Sequence, residues 1–485
     1  DPANSVANVI AALAAHGRVG SALTLADQRR ARTIVDALLR TSGGNAAQTA
    51  LGTPAASGLE QRIQSALRDS TTAVVEYSAA ARGTPMTLFV VTKHDSRAYV
   101  LPSPDSITRL AERLTVLMEA GMNASDPARQ LGRLLLDRAI SDLPAGVTHL
   151  AIVTDGSLQR IPFDVLRMED DQMVIQRFAT SRVPSASVLL ALWQRPVSNR
   201  ATSLLAFGDP IFDPAPTTRS GQPSAGDNRQ AGLSDTMLPP LPGSRGEVNS
   251  ISRFFTHSNV RLRGDASATF LERTALQSYS VIHFAAHAIV DEEDNSSTAL
   301  VLSRGTGETG LVSPADLVRL HLDADMVVLS ACRSARGVLI GGEGVQGLTT
   351  PLLEAGARSV VASRWKVGDQ RTATFVVNFY TQLAHGLPVT DALRSAKLDA
   401  IQHGATPAEW AAFTVVGDPL VTLPLTLPAS AWRSRTSAKV ITEILLLAAA
   451  LWLAMLTTRR YRTTRNRDGR ERIASPPADV ETHQE

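Results

Sequence analysis

The stretch that decides the fold is VVLSACRSARG, Val327 to Gly337. Its start is typical of a short buried strand, and the chain turns polar around Cys332. Similar short apolar strands alternate with helical segments through the second half, as in SVIHFAAHA (280–288), VQGLTTPLLEAG (345–356) and ARSVVASRW (357–365). This alternation predicts an α/β fold with a mostly parallel sheet flanked by helices.

Shifts in composition divide the chain into segments. We predict a helical amino-terminal segment (1–70), a first α/β half (71–212), an exposed linker loop rich in Pro, Ser and Gly (213–240), a second α/β half (241–428), an apolar helix (440–458) and a basic polar tail (459–485). The chain begins with Asp1 rather than Met, which indicates a processed chain or a fragment.

The bulk composition excludes several classes of protein. The chain of 485 residues is 44% hydrophobic and 19% charged, which is ordinary for a globular protein. A net charge of +2 argues against a general nucleic-acid binder. The single cysteine excludes a disulfide framework and any zinc site with several cysteine ligands, and no metal site stands out among the histidines. The glycine-rich stretch GGEGVQG lacks the Gly-Lys-Ser/Thr ending of a phosphate-binding loop.

Two strands of the second half end in residues that can perform chemistry. One ends at His287 and the other at Cys332, 45 residues later. If both strands belong to one parallel sheet, both side chains lie at its carboxyl edge, where ligands bind in such folds. An imidazole can activate a thiol and then protonate a leaving amine. The pattern therefore predicts a cysteine nucleophile with a histidine base and acid.

Structural alternatives exist for these residues. A lone cysteine at the end of an apolar strand is often a small buried hydrophobic residue. His283 lies deeper in the same strand as His287, on the same face, and we interpret it as a hydrogen-bonded core histidine.

Several longer stretches carry a recognisable pattern, namely VIHFAAHA, VVLSACRSARG, GGEGVQGLTTPLLEAGARSVVASRWKVGDQ, NFYTQLAHG and EWAAFTVVGDP in the second half and LAIVTDGSLQRIPFDVL in the first. They resemble the CHAT family of caspase-like cysteine proteases, which belongs with caspases, separases and gingipains and is often linked to tetratricopeptide repeats. The resemblance covers about Thr71 to Leu425. It implies a caspase-hemoglobinase fold with a degenerate, non-catalytic first half and a catalytic second half carrying the dyad His287 and Cys332.

The resemblance implies a cysteine endopeptidase that needs no cofactor, acts on protein substrates and is switched by an activating partner or an upstream repeat domain. Backbone N–H groups of Ala288 and Cys332 would form the oxyanion hole. The family usually has glycine where this chain has Ala288. This departure leaves open a catalytically weak or inactive scaffold module, and a different cysteine chemistry such as acyl transfer is a further alternative.

Three residues are candidates for a substrate-specificity pocket. By analogy with separase, Asp369 would select a basic side chain before the cleaved bond. The alternative is that Asp369 only caps the helix that follows. Glu343, in the glycine-rich stretch, is a second acidic candidate, and Trp365 would form a wall of the pocket or pack in the core.

The apolar segment VITEILLLAAALWLAMLTT, Val440 to Thr458, predicts a transmembrane helix, since 19 helical residues extend about 28 Å. The alternative is an amphipathic or subunit-docking helix. Seven arginines follow the segment, at positions 459, 460, 462, 465, 467, 470 and 472. By the positive-inside rule, this predicts a single-pass membrane protein with an extracytoplasmic catalytic domain, a cytoplasmic domain being the alternative.

Overall fold

The structure is a computed structural model that describes residues 2–28, 30, 32–41, 58–78, 84–196, 201–212, 238–291, 297–304, 309–331, 334–340, 344–428, 446 and 448–455. The chain separates into two compact units, Asp1–Thr426 and Leu427–Glu485.

Within the described residues the strands are β1 (Thr72–Ser78), β2 (Met86–Val91), β3 (Ser96–Leu101), β4 (His149–Val153), β5 (Ala179–Val183), β6 (Ser203–Gly208), β7 (His257–Leu262), β8 (Val281–Ala285), β9 (His287–Ile289), β10 (Ala299–Val301), β11 (Leu311–Val312), β12 (Met326–Leu329), β13 (Gly337–Ile340), β14 (Gly344–Gly347), β15 (Ser359–Ser363) and β16 (Phe413–Gly417).

The helices are α1 (Pro2–Ala15), α2 (Val19–Asp27), α3 (Arg32–Thr41), α4 (Leu59–Ala66), α5 (Pro104–Glu119), α6 (Ser125–Leu135), α7 (Asp137–Ser141), α8 (Val174–Arg177), α9 (Ala186–Gln194), α10 (Pro242–Ile251), α11 (Ala268–Arg273), α12 (Pro314–Arg319), α13 (Thr349–Glu354), α14 (Asp369–Ala384), α15 (Val389–Gln402) and α16 (Pro407–Trp410).

One continuous sheet of eleven strands runs through the larger unit, in the order β3-β2-β1-β4-β5-β16-β15-β12-β8-β6-β7. Five neighbouring strands of this sheet are mutually parallel, namely β7, β6, β8, β12 and β15. β16 pairs antiparallel to β15 and, at Val416 and Arg182, also pairs with β5, which is parallel to β4 and β1. The predicted α/β fold with a mostly parallel sheet flanked by helices is confirmed. We refer to β7, β6, β8, β12 and β15 as one parallel block and to β1, β4 and β5 as the other, with β16 between them.

The sequence explains why the central strands lie inside. Every residue of β8, β12 and β15 is buried, as expected for a parallel sheet covered by helices on both faces. Local signals fix the connections. Ser313 caps α12, its side chain accepting from the Asp316 N–H, and Gly356 follows α13 with a φ of +117°. A side chain at Gly356 would meet the Leu322 carbonyl oxygen at 2.2 Å.

A buried polar network ties the end of β16 to its neighbours. Asp418 accepts hydrogen bonds from Arg358 at 3.0 Å and from the Trp193 indole at 3.2 Å. Arg358 and Asp418 are both buried. The two residues form an ion pair whose separation would leave a charge without a partner inside the protein.

The prediction of a membrane-spanning helix at Val440–Thr458 is wrong. No helix among the described residues is both long and apolar enough to cross a membrane. Residues 446 and 448–455 of this segment are helical, and the rest of it lies outside the described residues. The predicted membrane localisation, and the extracytoplasmic catalytic domain inferred from it, depended on this helix and lose their basis.

Candidate active site at the carboxyl edge of the second half

His287 stands just beyond the carboxyl end of β8. After β8 ends at Ala285, one residue separates it from β9, the first strand of a small three-stranded sheet with β10 and β11. His287 opens β9 opposite Val301 and is 8% exposed. Because β8 belongs to the main sheet and β9 to the small sheet, His287 lies where the main sheet ends.

The hydrogen bond of the imidazole defines its proton arrangement. Nε2 of His287 lies 2.8 Å from the carbonyl oxygen of Pro239, and the Phe212 ring packs 4.8 Å from the imidazole between ring centres. A carbonyl oxygen only accepts, so Nε2 carries the proton. In the neutral ring, Nδ1 then holds the free lone pair and can act as a base.

The surroundings favour this neutral form. Burial lowers the pKa of His287 below its usual value, and the Lys366 ammonium lowers it further. The Pro239 carbonyl and the Asp369 carboxylate act in the opposite direction but do not reverse the shift. Because desolvation penalises the imidazolium ion, His287 is uncharged near pH 7, and its Nδ1 lone pair can accept a proton.

The strand that leads to the cysteine lies beside the histidine strand. β12 pairs in parallel with β8, Leu329 opposite Phe284, and with β15, Leu329 opposite Ala362. Ser330 and Ala331 follow β12 and line the same cavity as His287. Cys332 itself lies outside the described residues. The two residues that precede it are therefore at the predicted carboxyl edge, next to His287.

Hydrogen bonds hold the chain on both sides of Cys332. Ser334 donates its hydroxyl to the Leu329 carbonyl at 3.1 Å and accepts from the Ser363 N–H at 3.0 Å. The Ser363 hydroxyl donates to the Ala331 carbonyl, and the Ala335 N–H donates to the Ser363 carbonyl at 2.7 Å. Ser334 and Ser363 are both buried. These two serines were missed by the sequence reasoning, since nothing in the local pattern distinguishes them from surface serines.

A cavity of about 180 Å³ lies at this edge. Its lining includes His287, Ser330, Ala331, Ser363, Phe413, the segment 239–241 and the segment 366–369. It thus brings His287 together with Asp369. Lys366, which the sequence reasoning overlooked, lies on the same lining and is exposed.

The predicted specificity residues occupy different places. Asp369 begins α14, and its Oδ2 accepts from the Gly243 N–H at 2.6 Å. Trp365 is buried away from the cavity lining and donates its indole N–H to the Ala408 carbonyl at 2.6 Å. Glu343 lies outside the described residues. The structure therefore places Asp369 beside His287 and Trp365 in the packed interior.

The other two histidine-strand residues considered above, Ala288 and His283, pack against other residues of the fold. Ala288 is the second residue of β9, opposite Leu300, and packs against the main core. His283 is fully buried between the Glu247 carboxylate at 2.8 Å and the Tyr380 hydroxyl at 3.2 Å. Within the part of the chain that the structure describes, no group of three His, Cys, Asp or Glu residues is arranged to hold a metal ion.

Comparison with known proteins agrees with the fold and identifies the family. The CHAT domain matches residues 125–418. The chain belongs to the CHAT domain family. It is 26% identical over 356 residues to tetratricopeptide repeat protein 28 of Mus musculus, and 25% identical over 323 residues to the protein of that name in Homo sapiens. These matches cover 66% and 59% of the chain but only 14% and 13% of the relatives.

Among solved structures, the chain resembles the Saccharomyces cerevisiae separase–securin complex with a TM-score of 0.53 at 12% identity. The match covers 84% of the chain and 34% of the matched chain. At this identity the similarity shows the fold alone. The sequence-based recognition of a CHAT protein with a caspase-like fold is confirmed.

Proposed function

We propose that this chain is a CHAT-type cysteine endopeptidase in which Cys332 is the nucleophile and His287 the general base and acid. One observation carries the proposal. His287, with Nδ1 available as a base, shares a cavity with Ser330 and Ala331, the two residues that immediately precede Cys332. Serine hydrogen bonds hold the chain on both sides of the cysteine, which is the preorganisation that a nucleophile needs.

In this mechanism, Nδ1 of His287 takes the proton of the Cys332 thiol as the sulfur attacks the scissile carbonyl carbon. The tetrahedral oxyanion is held by backbone N–H groups, for which Ala288 and Cys332 are the candidates. The same imidazole then gives the proton to the leaving amine, and water hydrolyses the resulting thioester. No cofactor enters the sequence of steps.

We assign substrate selection to Asp369, which would pair with an arginine or lysine before the cleaved bond. Its presence on the lining of the His287 cavity supports this role. The Lys366 ammonium on the same lining opposes a basic side chain, so the selectivity depends on which charge lies nearer the bound residue. The similarity to tetratricopeptide repeat proteins supports an activating repeat domain or partner.

The first experiment follows iodoacetamide alkylation of the full chain against pH. Because the chain contains one cysteine, all labelling reports on Cys332. We expect an apparent thiol pKa below about 8.5 in the wild type and slower labelling in His287→Ala. His403→Ala, which removes an exposed histidine, is the matched control and should label like the wild type. Identical labelling of wild type and His287→Ala would refute the dyad and favour the scaffold alternative, for which Ala288 is the supporting feature.

Selectivity is tested separately with peptides that carry arginine, lysine or a neutral residue before the scissile bond. Asp369→Asn should lower the preference for basic residues by roughly ten- to a hundredfold, the value of one charge-assisted contact. Asp105→Asn removes an acid from the first turn of α5 and controls for the loss of a helix-terminal charge. Product masses separate hydrolysis from acyl transfer.

A further inference from the structure

A second, smaller cavity lies away from His287 and is lined by two arginines. Its volume is about 50 Å³. Arg182 comes from β5, and Arg364 directly follows β15. The remaining lining consists largely of threonines and small apolar residues, namely Thr154, Gln159, Val183, Pro184, Ala335, Thr349, Thr350, Thr414 and Val416.

The two guanidinium groups lack a carboxylate partner. Arg364 is 6% exposed, and its side chain donates only to the Gln159 carbonyl, at a long 3.4 Å. The Arg182 side chain donates to the Ile161 carbonyl at 3.2 Å and to the Thr154 hydroxyl. Among the described residues, neither arginine forms an ion pair. Both contacts of Arg182 and the contact of Arg364 are to uncharged oxygens, which do not neutralise a cation.

Two carboxylates of this region pair with other cations. Asp164 accepts from the buried Lys397 ammonium and from the Thr180 hydroxyl. Glu119 forms an ion pair with Arg336. Arg182, Arg364, Arg336 and Lys397 thus supply four positive charges against the two negative charges of Asp164 and Glu119. The region keeps an excess of two positive charges, both on the arginines that line the cavity.

This excess is costly because a guanidinium stays protonated inside a protein. Burial lowers the pKa of Arg364 to about 10; the Asp164 carboxylate acts against this shift without reversing it, and the Arg336 charge adds to it. Burial and the neighbouring Arg364 charge also lower the pKa of Arg182. A buried charge is tolerated when a counter-charge and hydrogen-bond partners compensate for its lost hydration.

We propose that this cavity binds a small inorganic anion between Arg182 and Arg364. A cavity needs roughly 10–15 Å³ to hold one water, so about 50 Å³ accepts a monatomic anion with a water or a compact oxyanion, but not a peptide carboxylate. Hydroxyls of Thr154 and Thr414 supply further donors at the lining. The Gln159 NH₂ group donates to the Thr154 carbonyl at 3.4 Å and so holds one side of the lining.

The site has a structural consequence for the rest of the fold. It joins Arg182, on the β5 side of the β15–β16 pair, to Arg364, on the β15 side. It also touches Ala335, three residues after Cys332. An anion here would hold the two parallel blocks together beneath the chain that carries the cysteine. The proposal is independent of the proposed peptidase activity, because it concerns charge balance and stability.

The test measures the melting temperature of the full chain while sodium chloride replaces sodium gluconate at constant ionic strength. Gluconate is too large for the cavity, so it serves as the non-binding anion. We expect a saturable rise in Tm with chloride and the loss of this rise in Arg364→Met. Arg358→Met also removes a buried arginine, but one that is paired with Asp418, and should keep the chloride dependence.

Binding is measured directly by broadening of the chloride-35 resonance on addition of the protein. The broadening should disappear in Arg364→Met and weaken in Thr414→Val, which changes no charge. Replacing chloride by phosphate at equal ionic strength distinguishes the two anion types, since the larger Tm rise marks the one that fits. The proposal is overturned if neither chloride nor phosphate raises the wild-type Tm, or if the anion-dependent Tm and the broadening are the same in wild type and Arg364→Met.

Discussion

Glu76 gives the sharpest test of the electrostatics of this fold. It lies in the middle of β1, a strand whose residues are all buried, and has no exposed surface. Arg30 approaches its carboxylate at 3.7 Å, but neither carboxylate oxygen has a hydrogen-bond partner among the described residues. Burial raises the pKa of Glu76 to about 8, and the nearby Asp27 charge adds to the shift. Glu76 is therefore mostly protonated at pH 7.

The direction and size of the pH effect follow from this pKa. Between pH 4.5, the usual pKa of the group, and about pH 8, Glu76 holds a proton in the folded state that it releases in the unfolded state. The contribution of Glu76 to the free energy of unfolding is therefore complete below pH 4.5 and is lost as the pH rises through about 8. The difference between the two values corresponds to about 5 kcal/mol, at 1.36 kcal/mol for each pH unit. This loss is comparable to the whole stability of many domains.

Urea unfolding of wild type and Glu76→Gln from acidic to alkaline pH checks this expectation. Glutamine keeps the shape but cannot ionise, so its advantage over the wild type should grow with pH up to about 9. Glu112→Gln changes an exposed glutamate in α5 and should show no such trend. Wild-type and Glu76→Gln stabilities that differ by a constant amount across this range would refute a raised pKa at Glu76.

Three further predictions concern other sites. In Gly243→Ala, the new methyl would lie 2.5–2.9 Å from the Asp369 carboxyl, so we expect net destabilisation by about 1–3 kcal/mol in urea unfolding. Gly246→Ala, in the same helix with open space, should instead stabilise by up to about 1 kcal/mol. Asp418→Asn should destabilise by about 3–5 kcal/mol, seen as a lower urea midpoint, because its arginine partner stays charged and buried. The NMR titration midpoint of the His287 imidazole should lie below 6.5, since burial lowers its pKa; a midpoint at or above this value would contradict the neutral base.

The sequence was sufficient to locate the candidate site within the sheet. The apolar runs around Val281 and Val327 are strong strand signals, and carboxyl ends of parallel strands meet at one edge. The positions of His287 and of the residues before Cys332 follow from these two facts. The alternation of strands and helices alone predicts that these strands are parallel, and parallel strands end at the same edge of the sheet.

The contacts that tune the site could not be predicted in this way. Pro239 is 48 residues from His287 and belongs to a segment without periodicity, yet its carbonyl determines which imidazole nitrogen is free. Glu76 interrupts an apolar strand, and nothing in the local sequence indicates that Arg30 approaches its carboxylate. The prediction of a membrane-spanning helix at Val440–Thr458 was wrong because it depended on hydropathy alone, which reports only how apolar a segment is.

Strand ends of both parallel blocks lie near the candidate site. Phe413, the first residue of β16, lines the His287 cavity. Thr154, which directly follows β4, lines the smaller cavity together with Ala335, three residues after Cys332. The first half therefore contributes side chains near the chain that carries the cysteine, although the proposed dyad belongs to the second half. Changes in substrate preference should accordingly arise from strand ends and loops of both halves.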